Sequence, residues 1–389
     1  MLHRILSTVI AAFVCVVAGA QGTCVINGNI ADGTKIKKVA LTRTNELGKT
    51  IEVATAKVKK GKYTFKYELS KEEPVLMYNI TGIGQAGIEL FVEPGEVTVH
   101  TPSVAQVGES AVSGTPTNDA YAEYNAIFAA GADEVAALLA VLETRNGKEW
   151  MESAEGKAAA KRIVARETVK TESQALRYLI DNNASPMTPL VIERSLLPKL
   201  TTAYADQMLK TIHFSLESHP YYLSLRNKVL ANDLKVGNEL PDITLPLSNG
   251  EVKTLHDFRG KYVVLNFWAN GCSKSADMLA EMKNLYEVVK ENQDQFVMIS
   301  VALESDAATW QVAVNANGMD CEGWLNACDL AGTDSPAAKL LGVEKAPRII
   351  LVEPEGRAVS LDMDVDEVVM RVEQILSGDL YYFDQADYK

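Results

Sequence analysis

The chain has no excess of positive charge. Its 38 lysine and arginine residues are outnumbered by 51 aspartate and glutamate residues, which gives a formal net charge of −13 at pH 7 over 389 residues. A surface of this sign repels phosphate, so the composition argues against nucleic acid as a partner. The sequence also lacks a glycine-rich loop between a strand and a helix, so nucleotide binding is not indicated.

Histidine and cysteine are scarce. The chain has five of each, and no histidine stands at a metal-ligand spacing from a cysteine, so we expect neither a metal site nor another cofactor. A hydrolase built on a cysteine and a histidine is disfavoured, because His256 lies well away from Cys272 in the sequence. The cysteines are therefore the remaining candidates for chemistry.

Long apolar runs are absent after the first twenty residues. Residues 1–20 have a basic start at His3 and Arg4, an apolar run over residues 5–17 and a small cleavage site at Ala18-Gly19-Ala20, which is typical of a secretory signal peptide. No later segment approaches the twenty apolar residues of a membrane span. We therefore expect export to the periplasm or cell envelope, without a transmembrane segment.

The exported chain keeps too few cysteines for a disulfide framework. The stretch Gln21-Gly22-Thr23 lacks the pattern that precedes a lipid-modified cysteine, so we expect no lipid on Cys24. The other three cysteines are Cys272, Cys321 and Cys328.

Two regions with different patterns precede residue 236. Over residues 21–115, short runs of alternating apolar and polar residues, separated by turns such as Pro94-Gly95, predict half-buried antiparallel strands and an all-β, sandwich-like domain. Over residues 116–235, alanine, leucine and glutamate at three- and four-residue spacing predict helices that end at glycines and prolines. We interpret this second region as an α-helical connector.

From residue 236 onward strands alternate with helices, which predicts an α/β sandwich with a mostly parallel sheet over residues 236–378. The predicted strands are residues 262–268, 296–303, 324–328, 348–352 and 358–363. The predicted helices are residues 275–290, 306–317, 335–341 and 366–376. Residues 379–389 form an acidic and aromatic tail.

Several motifs of the α/β region occur together. They are VGNELPD at residues 236–242, GKYVVLNFWA at residues 260–269, Cys272, DSPAAKLLGV at residues 334–343 and the pair Ala346-Pro347. In this combination residues 236–378 resemble the thioredoxin-like domain of the exported TlpA-like and alkyl hydroperoxide reductase/thiol-specific antioxidant (AhpC/TSA) superfamily. The preceding β-domain and helices resemble the N-terminal extension of many envelope members of that family.

The chain departs from the family pattern at the cysteine motif. The family's second cysteine is replaced by Ser275. A Cys-x-x-Cys pair opens and closes its own disulfide, whereas a single cysteine forms a mixed disulfide but cannot release it alone. The other departures are Gly271, Ser273, Lys274, Met278 and Ala280, and Ala269 stands where a peroxiredoxin has threonine.

The resemblance implies that Cys272 lies between a strand and the start of a helix. There the unpaired amides and the positive end of the helix favour a thiolate. Lys274 adds a positive charge, and Ser275 is placed to donate a hydrogen bond to the sulfur. The candidate catalytic residues are therefore Cys272, Lys274 and Ser275, with Cys272 acting as a nucleophilic monothiol. The alternative is that Cys272 is an inert remnant of the family's site.

The resemblance also implies a substrate groove beside the cysteine, formed by Trp268, Ala346, Pro347 and Arg348. Pro347 stands where the family keeps a cis-proline that lies against the nucleophile and offers backbone groups to an extended peptide. Arg348 could recognise acidic groups or lie solvated at a strand end.

Cys328 is a candidate resolving thiol. If the strand at residues 324–328 is parallel to its neighbours, it ends at the same edge of the sheet as Cys272. Two other interpretations stay open: Cys328 is a small buried hydrophobic residue, or it pairs with Cys321 to close a loop.

Two functions are compatible with this sequence. The first is an exported protein of the thiol-disulfide oxidoreductase family that exchanges disulfides with protein or small-molecule thiols through Cys272 alone, with an envelope partner for its N-terminal regions. The second is a non-catalytic interaction protein that retains the thioredoxin scaffold. A low pKa and an open groove at Cys272 would favour the first.

Overall fold

The computed structural model describes residues 22–32, 35–44 and 50–378. The chain divides into two compact units between Thr188 and Pro189. The predicted signal peptide of residues 1–20 and the predicted tail of residues 379–389 lie outside the described residues.

The first unit begins with a β-sandwich, as the alternating sequence pattern predicts. Its strands are β1 (Gly22–Ile30), β2 (Lys38–Thr44), β3 (Thr50–Lys57), β4 (Lys62–Leu69), β5 (Leu76–Thr81), β6 (Ile88–Val92), β7 (Gly95–Thr101) and β8 (Ala111–Ser113). They form two four-stranded sheets with the orders β4-β1-β7-β8 and β3-β2-β5-β6. Apolar side chains of both sheets form one core, which includes Ile26, Phe65, Leu41 and Leu90.

One strand pair of the sandwich differs from the expectation. β1 pairs with β7 in parallel, with Ile26 opposite Val97, whereas the sequence predicted only antiparallel strands. An alternating pattern fixes which face of a strand is buried but does not specify the direction of its neighbour. Cys24 lies in β1 and is fully buried.

Three helices complete the first unit: α1 (Pro116–Asn146), α2 (Lys148–Glu152) and α3 (Ala154–Asp181). The start of α1 is tied to the sandwich by Asn118, whose side chain accepts a hydrogen bond from the backbone N–H of Phe91 and donates one to the Phe91 carbonyl, both at 2.8 Å. α1 and α3 pack along each other, and Lys170 pairs with Glu134 at 2.7 Å.

α1 is a long, apolar helix. An 18-residue window of it has a mean hydropathy of 1.6, and none of the residues in that window is buried. By length and composition alone the helix is apolar enough to cross a membrane, and the expectation that the chain has no transmembrane segment stays a prediction.

The second unit begins with the remaining helices of the middle region. α4 (Met187–Val191) contains the boundary between the units, and α5 (Thr202–Thr211) and α6 (Pro220–Ala231) follow. The helical character predicted for the middle region is confirmed.

The rest of the second unit is the predicted α/β domain. Its elements are β9 (Thr244–Pro246), β10 (Val252–Thr254), β11 (Tyr262–Trp268), α7 (Ser273–Val289), β12 (Phe296–Ala302), α8 (Ala307–Ala316), β13 (Trp324–Ala327), α9 (Pro336–Leu340), β14 (Arg348–Val352), β15 (Ala358–Met363) and α10 (Val365–Ser377). The main sheet has the order β13-β12-β11-β14-β15. β11 runs parallel to β12 and antiparallel to β14, and β12 runs parallel to β13.

Both faces of this sheet are buried. One face packs under α7 and α10 with Val264, Trp268 and Leu279 in its core, and the other buries Leu265, Phe267 and Ile350. Burial on both faces explains why β11 and β12 read as nearly continuous apolar runs. The sheet order brings the carboxyl end of β11 and the amino end of β14 to one edge, where Phe267 pairs with Arg348.

Candidate functional site

Cys272 is the cap residue immediately before the first residue of α7. β11 ends at Trp268, and the chain turns through Gly271, whose φ of +77° is a left-handed conformation that favours glycine. Cys272 then takes the cap position, with an extended backbone (φ −89°, ψ 116°), and its carbonyl accepts the hydrogen bond of Ala276 N–H at 3.0 Å. The sulfur is partly exposed at the amino end of a 17-residue helix.

The surroundings of Cys272 lower the pKa of its thiol below the ordinary value. The largest cause is the backbone N–H of Ser275, and the hydroxyl of Ser275 is the next to act in this direction. The backbone N–H and the positive charge of Lys274 act in the same direction. These groups donate hydrogen bonds or positive charge to the sulfur, so they favour the thiolate, which is the nucleophilic form.

Ser275 occupies the position of the family's second cysteine and is buried. Its side chain is 1% exposed, and its hydroxyl oxygen accepts a hydrogen bond from the backbone N–H of Ala269 at 3.2 Å. The serine therefore links the loop before Cys272 to the first turn of α7. It stabilises the Cys272 sulfur but carries no thiol that could displace a bound substrate.

The peptide bond between Ala346 and Pro347 is cis and lies against the cysteine. The Cys272 sulfur is 3.9 Å from the carbonyl oxygen of Ala346, to which its S–H is directed. Pro347 is followed at once by β14, so the cysteine loop and the proline loop meet at the same sheet edge.

One residue predicted to line the substrate groove, Trp268, has other surroundings. Trp268 is 1% exposed and packs in the core beneath α7, so its ring supports the site from below and does not face a groove. Strand alternation places its ring on the α7 side of the sheet, because Val264 and Trp268 lie on the same face of β11. Arg348, in contrast, is partly exposed beside Pro347 and lines the pocket there, and its guanidinium pairs with Asp362 at 3.4 Å.

A pocket of about 300 Å³ adjoins the cysteine loop and the proline loop, and we call it the α7 pocket. Its lining includes Lys274, Asp277, Met278, Glu281, Pro347 and Met363. Asp277 and Glu281 were not among the residues selected from the sequence. The spacing of Asp277 and Glu281 by four residues on the helix predicted over residues 275–290 was the signal that could have identified them.

A larger depression of about 420 Å³ runs along α8 and includes Asn270 of the cysteine loop. Its other lining residues are alanine, valine, threonine and asparagine, and none of them is titratable. The α7 pocket is therefore the better candidate for a site with chemistry.

Cys328 lies at the end of β13, at the same sheet edge as Cys272, but it is deeply buried. Its thiol is 3.5 Å from the carbonyl oxygen of Glu304, and burial raises its pKa. β12 separates β13 from β11, so the two strand ends are about 10 Å apart at the usual strand spacing. Disulfide geometry needs Cα atoms within about 7 Å.

Cys321 and Cys328 are both free thiols, so the disulfide considered between them does not form in the structure. The four cysteines of the described residues are all unpaired. Within the same described ranges, no group of three or more histidine, cysteine, aspartate or glutamate side chains is arranged to hold a metal ion.

Comparison with known proteins agrees with this geometry. Residues 236–359 match the AhpC/TSA family, and residues 24–121 match a domain of unknown function, DUF4369. The thiol-disulfide oxidoreductase ResA of Bacillus subtilis is 29% identical over 140 residues, which cover 36% of this chain and 74% of ResA. The thioredoxin-like protein YneN of Bacillus subtilis is 33% identical over 72 residues, which cover 18% of this chain and 41% of YneN.

Among solved structures, a thiol-disulfide oxidoreductase from Bacteroides fragilis is 28% identical, with a TM-score of 0.33, and the match covers 36% of this chain and 99% of that one. The α/β domain of the present chain is a TlpA-like domain of the AhpC/TSA family with the thioredoxin fold, as its motifs predicted.

Proposed function

We propose that the protein is exported and exchanges disulfides through a single thiol, that of Cys272. The observation that carries this proposal is the position of its sulfur. It is partly exposed at the amino end of α7, close to the carbonyl of Ala346, and surrounded by groups that lower its pKa. A thiolate that is accessible and stabilised in this way is a nucleophile toward disulfide sulfur.

The reaction has two balanced steps. In the first, the Cys272 thiolate attacks one sulfur of a disulfide R–S–S–R′, forms the mixed disulfide between Cys272 and R–S, and releases R′–S⁻. In the second, the thiolate of an external thiol, or of a second cysteine in the substrate, attacks the R–S sulfur and releases the Cys272 thiolate. The protein is unchanged over the cycle, and one disulfide has been exchanged for another.

Ser275 makes this cycle dependent on an outside thiol. In a Cys-x-x-Cys site the second sulfur would attack the mixed disulfide and release the substrate. The buried hydroxyl of Ser275 is not a nucleophile toward sulfur at neutral pH, so the mixed disulfide persists until another thiol reaches it. Such a protein acts as an isomerase or carrier of thiols and not as a self-contained dithiol reductase.

Export is part of the same proposal. The signal-like pattern of residues 1–20 supports it, since disulfide chemistry belongs to oxidising compartments outside the cytoplasm. Relatives of the α/β domain named thiol-disulfide oxidoreductases support the type of chemistry. Protein or small-molecule thiols and disulfides would be its substrates, and the first unit would offer a surface to an envelope partner.

The test is the pH dependence of Cys272 alkylation by iodoacetamide, followed for each cysteine peptide by mass spectrometry. We expect Cys272 to react quickly and with a pKa below that of free cysteine. Cys328 and Cys24 are internal controls, because burial raises their pKa and both should react only after unfolding. If Cys272 stays unmodified until the protein unfolds, the proposal is wrong.

A second measurement examines the exchange step itself. Incubation with hydroxyethyl disulfide should add one mercaptoethanol group to Cys272, visible as an intact-mass increase, and added thiol should remove it. Because Cys321 is also a free and partly exposed thiol, peptide mapping locates the adduct, and the Cys272→Ser variant should lose the rapidly formed one.

A non-catalytic binding scaffold is the competing function, and the replacement by Ser275 is the observation that favours it. The alkylation and adduct experiments distinguish the two functions. A binding scaffold would be folded, but Cys272 would show neither rapid alkylation nor reversible adduct formation.

A further inference from the structure

The α7 pocket begins beside the reactive sulfur and combines two kinds of surface. Its floor is apolar, with Met278, Ile349 and Val365 all largely buried. Its rim carries charged side chains of both signs. A pocket of this composition accommodates a side chain that has an apolar stem and a charged end.

The charges of the pocket are not equivalent, because several are already engaged. Arg348 pairs with Asp362, and the carboxylate of Asp364 accepts the backbone N–H of Glu367 at 2.9 Å as the cap of α10. Lys274 lies two residues from Cys272, and its charge acts on that sulfur. The charges without an ion pair are then Lys274, which lies beside the sulfur, and the two carboxylates of Asp277 and Glu281 farther along α7, so these three side chains together carry a net negative charge.

Asp277 and Glu281 lie one turn apart on α7 and are both exposed. Within the part of the chain that the structure describes, neither carboxylate forms a hydrogen bond or an ion pair. Two carboxylates four residues apart repel each other, which costs a few tenths of a kcal/mol in an isolated helix. A cation bound between them would relieve that repulsion.

We propose that the α7 pocket selects substrate polypeptides that carry lysine or arginine close to the reacting cysteine. The aliphatic stem of that residue would lie on Met278 and Ile349, and its charged end would reach Asp277 and Glu281. This inference rests on the proposed function of Cys272, and it names the substrate class that the site prefers.

Distances along α7 indicate how many residues would separate the lysine or arginine of the substrate from its reacting cysteine. At a rise of about 1.5 Å per residue, Asp277 and Glu281 lie about 7.5 and 13.5 Å along the helix from Cys272. An extended peptide advances about 3.3 Å per residue. A lysine two to four residues from the reacting cysteine would therefore face this pair of carboxylates.

The experiment uses three short peptides that differ at one position. Each carries one cysteine activated as a 2-thiopyridyl disulfide, and the third residue after it is lysine, glutamine or glutamate. The rate of thiopyridone release on reaction with Cys272 is followed at low and at high salt. We expect the lysine peptide to react roughly threefold to tenfold faster than the glutamine peptide at low salt, and the glutamate peptide more slowly than either.

The matched variants are Asp277→Asn/Glu281→Gln and Glu287→Gln/Glu291→Gln. Both remove two exposed negative charges, but the residues of the second pair lie outside the pocket. The first variant should lose the preference for lysine, whereas the second should keep it. A lysine peptide that reacts no faster than the glutamine peptide, or a preference that persists in the first variant, overturns the inference.

Binding to the Cys272→Ser protein separates this inference from the proposed function. Fluorescence anisotropy with the same peptides, carrying serine for cysteine, measures the pocket without thiol chemistry. If this protein prefers the lysine peptide while the native protein reacts with no peptide, the monothiol function fails and the selectivity stands. If the native protein reacts equally with all three peptides, the function stands and the selectivity fails.

Discussion

The hydroxyl oxygen of Ser275 accepts a hydrogen bond from the backbone N–H of Ala269 at 3.2 Å. The serine therefore holds the loop that precedes Cys272 against the first turn of α7. The oxygen is engaged as an acceptor on the loop side, which leaves the hydroxyl proton available to the sulfur of Cys272. A serine at this position thus keeps two structural roles of the site, loop anchoring and thiolate stabilisation. It loses a third role, the release of a mixed disulfide.

Replacement Ser275→Ala should raise the pKa of Cys272, because the hydroxyl that lowers it is removed. Alkylation of Cys272 at neutral pH should become severalfold slower, and the pH profile should move to higher pH. Loss of the Ala269 hydrogen bond should also destabilise the domain by about 1 kcal/mol. Ser273→Ala, on the exposed side of the same turn, is the control, and an unchanged profile in Ser275→Ala would refute the role given to this hydroxyl.

Replacement Ser275→Cys should produce a dithiol site able to reduce insulin disulfides with an added reductant. The second thiol would occupy a buried position at the first turn of α7, from which it can attack the mixed disulfide on Cys272. Turbidity of insulin measures the gain, and Cys272→Ser/Ser275→Cys should remain inactive. Absence of any gain would mean that other departures from the family, such as Gly271, also disable the dithiol cycle.

The sequence predicted the secondary structure of the α/β domain well where local signals agreed. β11 was predicted over its observed range because a continuous apolar run stands between a glycine turn and the cysteine loop. β14 and β15 were predicted over their observed ranges because Pro354-Glu355-Gly356 separates two apolar strands. The hairpin of β9 and β10 was missed because each of its strands has only three residues, too few to show a period.

The site was harder to predict, since its residues come from distant segments. The contact between Cys272 and Ala346 joins positions 74 residues apart, and the sequence indicated it only through the family resemblance. The α7 pocket depends on how α7 lies beside β14 and the start of α10, which no local pattern encodes. The continuous apolar run of β11 favoured burial of Trp268, but its place beside the cysteine suggested a groove residue instead.

His256 should make the second unit less stable at mildly acidic pH. Burial lowers its pKa; Arg259 and Arg226 also lower it, while Asp242 and Glu239 act in the opposite direction. The neutral ring fits its surroundings, because Nε2 lies 3.1 Å from the Arg259 guanidinium and Nδ1 lies 3.4 Å from Asp242.

The sign of the effect follows from where the proton binds more tightly. Because the folded-state pKa lies below the unfolded value of 6.5, the unfolded state takes up the proton first as the pH falls through that value. The free energy of unfolding should therefore decrease, by at most about 1.4 kcal/mol per pH unit for one proton. Urea unfolding at pH 7.5 and 5.5 measures this, and His256→Gln should reduce the difference. An equal difference in both proteins would show that other groups cause it.

Ser300 should be among the most sensitive polar residues of the α/β domain. Its hydroxyl oxygen accepts hydrogen bonds from the Asn266 side-chain amide and from the Trp324 indole N–H, both at 2.8 Å, and all three residues are buried. Replacement Ser300→Ala leaves two buried donors without this acceptor, so it should destabilise the domain by about 2–5 kcal/mol, although it removes only one oxygen atom.

Tryptophan fluorescence during urea unfolding of a Trp150→Phe background measures this effect in the second unit, because the other three tryptophans, Trp268, Trp310 and Trp324, all belong to it. Ser248→Ala, at an exposed turn of the same domain, should change the free energy of unfolding by less than about 0.5 kcal/mol. A similar small effect in Ser300→Ala would mean that water replaces the lost acceptor, and that the three side chains do not act as a closed network. The expected large loss would instead show that this network fixes the register of β11, β12 and β13, and with it the sheet edge that carries Cys272.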